Sequence, residues 1–141
     1  MCNSENQFKI DFLDHVAIRV KDMETSAKWY QTVLDLKRYK TPKWGAYPIF
    51  MLSGKSGIAL FPATAKDPLL DNTSKNVRID HFAFNVNFEN FEKAVRKYTE
   101  LNLVFTIKDH YYFKSVYTQD PDGHTVELTT IMVAEGSFYQ Q

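Results

Sequence analysis

Two Asp-His pairs and one later glutamate are the residues of this sequence best suited to chemistry. Asp14-His15 and Asp80-His81 each open a run in which apolar residues alternate, and Glu127 lies in a later run of the same kind. Two neutral imidazoles and one carboxylate suit a divalent first-row metal, and they leave coordination positions open for water or substrate. If the fold brings them together, these residues predict a metal centre that performs chemistry.

The two Asp-His pairs belong to an internal repeat. Residues 13–20 (LDHVAIRV) align with residues 79–86 (IDHFAFNV), with apolar residues and a small alanine at the same positions. Such a repeat indicates one supersecondary unit used twice. We therefore predict two copies of one module, each with its histidine at the start of the first strand.

Each module is predicted to contain a strand, a helix and three further strands. Alternation in the first strand places its valines and isoleucine on a core face, and His15, Ala17 and Arg19 on a cavity face. In the last strand, Glu127 lies on the cavity face by the same rule. The expected elements are a helix from Met23 and strands at 37–40, 49–52 and 57–61 in the first copy, then a helix from Asn87 to Leu101 and strands at 103–108, 114–119 and 125–131 in the second.

Composition limits the function classes. At 141 residues the chain is most simply one domain, and its 17 basic and 17 acidic residues cancel, which argues against nucleic acid or an anionic membrane as a partner. The single cysteine, Cys2, allows no disulfide within one chain, so a reducing, cytoplasmic location is expected. Since the apolar runs are too short to cross a bilayer, we expect a soluble protein.

Two further motifs extend the pattern to a known family. The helix sequence at 26–36 (SAKWYQTVLDL) and the turn and strand at 120–128 (DPDGHTVEL), together with the two histidines, resemble the vicinal oxygen chelate superfamily. This superfamily includes glyoxalase I, extradiol dioxygenases, fosfomycin-resistance thiol transferases and bleomycin-binding proteins. The resemblance implies an α+β fold of two βαβββ modules, with curved mixed sheets around a metal-binding cleft, and a metal held by His15, His81 and Glu127.

The resemblance also gives domain boundaries. We expect an N-terminal tail at 1–11, one domain at 12–133 and a C-terminal tail at 134–141. Within the domain, module one covers 12–62, a polar linker covers 63–77 and module two covers 78–133.

One departure from the family pattern concerns the fourth ligand. Glyoxalase I carries a carboxylate on the last strand of its first module, and the equivalent position here is Ala59. The remaining set resembles the site of the dioxygenases and of the fosfomycin-resistance enzymes. A facial triad with open positions is also the pattern of non-heme Fe(II) oxygenases.

Three other residues are candidates for catalysis. Arg19 is expected either to clamp a carboxylate or phosphate, or to form a salt bridge at the cleft rim. Tyr117 is expected to donate a hydrogen bond to an oxyanion at the metal or to act as an acid, unless it is a core or rim tyrosine. His110 is a candidate proton shuttle, whereas His124 is expected to be an exposed part of a hairpin.

Other polar and aromatic residues have simpler expected roles. Asp14 and Asp80 are expected to hold turns or to pair with basic neighbours. Trp44, Tyr47 and Phe61 are candidates for an apolar wall of a small-molecule pocket.

The sequence therefore predicts a metal-dependent enzyme acting on a small molecule, with dioxygenase-like or lyase/transferase chemistry. Fe, Mn, Ni, Co and Zn all suit the ligand set. The alternative is a protein that sequesters an antibiotic or toxin without catalysis. We expect a homodimer, and the sequence leaves open whether each site lies within one chain or is shared by two.

Overall fold

The computed structural model describes residues 6–139, so Cys2 lies outside the described part. The strands and helices, in chain order, are β1 His15–Val20, α1 Met23–Leu34, β2 Lys37–Tyr39, β3 Ile49–Ser53, β4 Ser56–Pro62, β5 Phe82–Asn85, α2 Phe88–Glu100, β6 Thr106–Asp109, β7 Phe113–Gln119 and β8 Thr125–Ile131. Short 3-10 turns lie at Pro42–Trp44 and Glu135–Ser137. Within residues 6–139, no helix has the length and apolar character needed to cross a membrane.

The strands form two four-stranded sheets, ordered β1-β4-β3-β2 and β5-β8-β7-β6. In each sheet the first strand pairs in parallel with the last strand of its module, and the other pairs are antiparallel. This order confirms the predicted α+β fold of two βαβββ modules. The helix supplies the crossover that a parallel pair requires.

Both helices begin and end as their sequences predict. The Asp22 side chain accepts from the Thr25 amide at 2.9 Å, and the Asn87 side chain accepts from the Asn90 amide at 2.8 Å. Asp35 and Asn102 follow the two helices in the left-handed conformation, with φ of 55° and 56°. Short polar side chains tolerate this conformation better than most, and it ends a helix.

The third strand from the end starts later than predicted. Residues 103–105 were expected to begin it, but β6 starts at Thr106. The Leu103 amide instead donates to the Tyr98 carbonyl at 3.0 Å, and Leu103 and Phe105 pack against the core beside α2. Burial beside the helix therefore replaces strand pairing in this segment.

The two modules share their apolar interior. One cluster of buried residues belongs mainly to module one but includes Val126 of β8, and the other belongs mainly to module two but includes Val33 of α1. Partly buried Trp29, Leu34 and Phe84 pack against both clusters. The modules are therefore joined on the side that carries their helices.

The Asp-Pro-Asp-Gly turn between β7 and β8 connects module two to module one through hydrogen bonds. Tyr30 Oη, which is buried in α1, donates to Asp120 Oδ2 at 2.8 Å. The other Asp120 oxygen accepts from the amides of Asp122 and His124, each at 2.9 Å. Burial and the Asp120 charge both raise the pKa of Tyr30, so its hydroxyl stays a donor.

The second half of this turn makes further contacts with module one. Asp122 accepts from the Lys21 amide at 3.1 Å and from Ser26 Oγ at 3.3 Å. His124 Nε2 lies 3.0 Å from the Arg19 carbonyl oxygen. The prediction that His124 is simply an exposed hairpin residue is wrong, because the ring is half-buried and contacts the other module.

The segment after residue 133 packs on the second sheet. Phe138 lies edge-on to Phe113 of β7, with ring centroids 4.7 Å apart, and close to Tyr112 at 5.5 Å. Phe138 and Tyr139 nevertheless keep nearly half of their surface exposed.

Candidate metal centre

His81 and Glu127 come together on the cavity face of module two. His81 immediately precedes β5, and β5 pairs in parallel with β8 so that Ala83 lies opposite Glu127. His81 Nε2 lies 2.9 Å from Glu127 Oε1. Glu127 is only 7% exposed, so its carboxylate has largely been removed from water.

The other ring nitrogen of His81, Nδ1, contacts Asp80. His81 Nδ1 lies 2.8 Å from Asp80 Oδ2, and this hydrogen bond, together with the nearby Lys75 charge, lowers the pKa of Asp80. When Nδ1 carries the proton of a neutral imidazole, Nε2 presents a lone pair toward Glu127. Two acceptors at this separation need a proton or a metal cation between them.

The distance between His81 Nε2 and Glu127 Oε1 fits two ligand atoms of one metal ion. Metal–nitrogen and metal–oxygen bonds of about 2.0–2.2 Å that meet near a right angle place their donors about 3 Å apart. The 2.9 Å between His81 Nε2 and Glu127 Oε1 agrees with that separation. The separation therefore fits two ligands of one divalent ion as well as an ordinary hydrogen bond.

His15 repeats the arrangement of His81 in module one. His15 Nδ1 lies 2.8 Å from Asp14 Oδ1, and its ring contacts Phe50 edge-on with centroids 5.1 Å apart. Within residues 6–139, however, no three His, Cys, Asp or Glu side chains are close enough to hold one ion. One chain therefore brings together two of the three predicted ligands.

Strand register identifies the counterpart of Glu127 in module one. Ala17 lies opposite Ala59 in the β1–β4 pair, just as Ala83 lies opposite Glu127 in the β5–β8 pair. Ala59 is fully buried. Module one therefore has a methyl group where module two has its carboxylate.

Tyr117 lies beside the His81–Glu127 pair. It is directly opposite Glu127 in the β7–β8 register, and its ring meets that of His81 edge-on at 5.8 Å. Partial burial, the Glu127 charge and a hydrogen bond to Glu127 raise the pKa of Tyr117. The phenol therefore remains protonated near neutral pH and can donate a hydrogen bond in the site.

His110 reaches this site through Tyr117. It directly follows β6, and its Nε2 lies 2.9 Å from Tyr117 Oη. Lys108 Nζ lies over the face of the same tyrosine ring, 5.5 Å from its centroid. Tyr117 and His110, which were predicted separately as catalytic candidates, are therefore in contact.

Arg19 is held by its own module. Its Nη1 donates to the Pro62 carbonyl at 3.0 Å, and its guanidinium lies 5.4 Å from the centre of the Phe61 ring. The side chain thus lies along the end of β4. Its role in binding a substrate stays a prediction.

The aromatic residues of module one form a connected group. Trp44 and Phe50 have ring centroids 5.2 Å apart, and Tyr47 and Phe61 have centroids 6.0 Å apart. Phe50, which connects this group to His15, was not among the predicted residues. Alternation in β3 was the available signal, because it places Phe50 on the face opposite Ile49 and Met51.

One contact of the two aspartates was not predicted. Asp14 and Asp80 were expected to hold turns or to pair with basic neighbours, and Asp80 does lie 3.9 Å from Lys75 Nζ, but each aspartate also contacts the histidine that follows it. The adjacency of aspartate and histidine in both copies was the signal.

Comparison with known proteins places this geometry in context. The model of the Glyoxalase/Bleomycin resistance protein/Dioxygenase superfamily matches residues 12–128. The metallothiol transferase FosB of Staphylococcus epidermidis is 28% identical over 135 residues, covering 86% of this chain and 83% of the relative. The glutathione transferase FosA of Serratia marcescens is 26% identical over 116 residues, covering 82% and 78%.

Solved structures agree on the fold. A glyoxalase/dioxygenase from Nostoc punctiforme superposes with a TM-score of 0.75 at 21% identity, covering 94% of this chain and 97% of the other. The fosfomycin resistance protein FosX of Mesorhizobium loti gives a TM-score of 0.63 at 23% identity, covering 90% and 98%.

Proposed function

This chain belongs to the Glyoxalase/Bleomycin resistance protein/Dioxygenase superfamily, and on that premise we propose that it is a divalent-metal-dependent transferase acting on a small electrophilic molecule. We propose a thiol as the nucleophile, because two of its relatives are named a metallothiol transferase and a glutathione transferase. A fosfomycin-like epoxide is the proposed electrophile, since a structural neighbour is a fosfomycin resistance protein.

One observation carries this proposal more than any other. His81 Nε2 and Glu127 Oε1 face each other at 2.9 Å while Asp80 occupies the opposite ring nitrogen. A divalent cation satisfies both acceptors at once, and His and carboxylate ligands leave positions open for a substrate oxygen. When bound, the ion would act as a Lewis acid that polarises that oxygen.

The chain's own residues would supply the remaining steps. The thiol first loses its proton to water. As the thiolate sulfur forms its bond to an epoxide carbon, the carbon–oxygen bond breaks, and the freed oxygen takes up a proton from water to become a hydroxyl. Tyr117 is positioned to donate a hydrogen bond to that oxygen, because it lies across the strand pair from Glu127 and stays protonated. His110 would orient the phenol, and Arg19 would hold an anionic group of the substrate.

We further propose that two chains share each site. His15 would come from one chain and His81 with Glu127 from the other. The side chains of His15 and His81 are 38% and 37% exposed, so both remain accessible to a second copy. Large apolar residues beside them are also exposed, namely Leu13, Val77 and Ile79, and an exposed apolar surface of this kind is typical of an interface.

Element analysis and turnover test the enzyme proposal. The protein, purified without a histidine tag, should retain or bind one of Fe, Mn, Ni, Co or Zn, and should join a thiol to a fosfomycin-like epoxide in a metal-dependent reaction detected by mass spectrometry. Catechols and hemithioacetals serve as comparison substrates for the other chemistries of the family. If the protein binds none of these five metals, the proposal is refuted.

The same experiment distinguishes the non-catalytic alternative. A sequestering protein would be thermally stabilised by its ligand even after the metal is removed by a chelator, and would give no product. A transferase would lose both product formation and most of the ligand-dependent stabilisation on chelation.

Mixing two inactive variants tests the shared site. His15→Ala and Glu127→Ala chains should each bind the metal poorly alone. After joint unfolding and refolding, mixed dimers should regain part of the metal binding, because one of their two sites has all three ligands. Lack of any recovery would instead favour sites within single chains.

A further inference from the structure

We propose that Asp14 and Asp80 are positioning residues that hold His15 and His81 in the tautomer that directs Nε2 into the metal centre. This inference rests on the proposed function, since it assigns a role to residues beside the proposed ligands. Neither aspartate is itself proposed as a ligand.

The geometry is the same in both modules. The carboxylate oxygen lies 2.8 Å from the Nδ1 atom of the next residue in each case. The surroundings otherwise differ, because His15 contacts the ring of Phe50 whereas His81 contacts Glu127 and the ring of Tyr117. A contact maintained in two different environments points to a requirement of the histidine itself.

Exposure argues against a purely structural role for these carboxylates. The Asp14 and Asp80 side chains are 72% and 61% exposed, so water can solvate them without any partner. An exposed pair of this kind contributes little to folding stability. Its main effect is therefore on the direction and proton placement of the imidazole ring.

The tautomer matters because only one of the two can bind a metal through Nε2. When Nδ1–H donates to aspartate, the Nε2 lone pair is free, whereas a proton on Nε2 would block ligation. A carboxylate on the distal nitrogen also fixes the ring orientation and makes the imidazole a stronger ligand. In His81 this arrangement leaves Nε2 facing Glu127.

The metal-free protein gives the first test. Ring ¹⁵N NMR at about pH 8, where an ordinary histidine is neutral, should show the Nδ1–H tautomer for His15, and also for His81 once Glu127→Ala has removed the acceptor that holds a proton on Nε2 in the absence of metal. In that background Asp80→Ala should shift only His81 toward the Nε2–H form, and Asp14→Ala should shift only His15. Asp80→Asn keeps an oxygen acceptor and should restore part of the Nδ1–H population.

Metal affinity gives the second test. Competition titrations with Zn²⁺, and the visible spectrum with Co²⁺, should show about 10- to 100-fold weaker binding for Asp80→Ala, with Asp80→Asn intermediate. Asp67→Ala removes another exposed carboxylate, from the linker, and should leave affinity unchanged. This control separates local positioning from a loss of net charge.

The outcomes separate this inference from the proposed function. If the wild-type protein binds no metal but the tautomers respond as expected, the transferase proposal fails and the positioning role stands. If the wild-type protein binds metal but Asp80→Ala leaves tautomer and affinity unchanged, the positioning role is wrong. Should Asp80→Ala unfold, the Asp80→Asn variant gives the same comparison, because it preserves the side-chain size.

Discussion

The two modules have the same order of elements and the same strand register, yet their cavity faces have opposite chemistry. In module two, the carboxylate of Glu127 lies between His81 and Tyr117. In module one, the corresponding positions are Ala59 and Phe50, and the face continues into aromatic rings. A duplicated backbone can therefore retain its fold while its two cavity faces carry different side chains.

The two modules differ at this position because burying a carboxylate costs free energy unless it has hydrogen-bonding partners. Ala59 is fully buried opposite Phe50, so position 59 has no space for a longer, charged side chain. Glu127 is nearly as buried, but it has His81 beside it and the phenol of Tyr117 opposite. A buried carboxylate persists where such partners exist. Module two thus presents a histidine and a carboxylate, and module one presents a histidine beside aromatic rings.

The hairpins that join the last two strands of each module, β3–β4 and β7–β8, also differ. The turn of module one connects β3 to β4 through Gly54 and Lys55, with Ser53 opposite Ser56. The turn of module two contains Asp120, which is buried and bonded to Tyr30 of the other module. One hairpin only reverses the chain, whereas the other also joins the modules.

The largest effect should come from making module one resemble module two. Ala59→Glu should lower the free energy of unfolding by about 3–5 kcal/mol, because it forces a longer, charged side chain into a fully buried position opposite Phe50. Ala17→Glu, on the adjacent strand and directly opposite, lies at an exposed position and should cost far less. Urea unfolding measures both. Equal stabilities for the two variants would show that the face of module one is open rather than packed.

Removing the carboxylate of module two should chiefly affect metal binding. Glu127→Gln should weaken Mn²⁺ or Zn²⁺ binding by about 100-fold or more, since the loss of a charged ligand should exceed the effect of losing an outer hydrogen bond. Calorimetric titration measures this change. Glu100→Gln, at the end of α2, is the matched control and should bind like the wild type. Unchanged binding by Glu127→Gln would place the metal elsewhere.

Two buried tyrosines, one in each helix, allow a direct comparison. Tyr30→Phe should lower the free energy of unfolding by about 2 kcal/mol, because it removes a hydrogen bond to the Asp120 carboxylate. Within residues 6–139, Tyr98 Oη is buried without a hydrogen-bond partner, so Tyr98→Phe should leave stability unchanged or raise it by about 1 kcal/mol. Thermal and urea unfolding of both variants test this. If both variants lost a similar free energy of unfolding, the hydrogen bond from Tyr30 to Asp120 would not be what stabilises the contact between the modules.

The same tyrosines predict a decline in stability at alkaline pH. Burial raises the pKa of both phenols in the folded protein, whereas in the unfolded chain they ionise near pH 10. The unfolded state then binds fewer protons, so stability falls as pH rises, by about 1 kcal/mol per tyrosine between pH 9 and pH 11. Replacing both tyrosines with Phe should flatten this part of the stability profile, and an unaltered slope would contradict the assignment.

Local patterns predicted most of the fold. Alternation placed Ile18 and Val20 in the core and His15 on the opposite face, and polar caps placed the starts of both helices. These features depend on neighbouring residues, so sequence reveals them. The start of β6 was predicted too early because Leu103 and Phe105 are apolar for another reason: they pack against the core cluster that includes Phe91 and Tyr98 of α2.

Contacts between distant residues were harder to predict. The sequence indicated the histidines and Glu127 but assigned neither the bond from Tyr30 to Asp120 nor the contact of His124 with module one. Both depend on how the modules pack, and no local period records that packing. The pairing of Tyr117 with His110 likewise depends on the position of the chain just after β6.

The sequence by itself determined the duplicated module, the face on which each histidine lies, and the replacement of a carboxylate by Ala59, because strand alternation and repetition are local properties. Only the tertiary structure decided that His81 and Glu127 meet within one chain while His15 lies apart from such a group. The physical reason is that the modules pack together on their helical sides. That packing buries the apolar faces and leaves both histidine faces accessible to solvent.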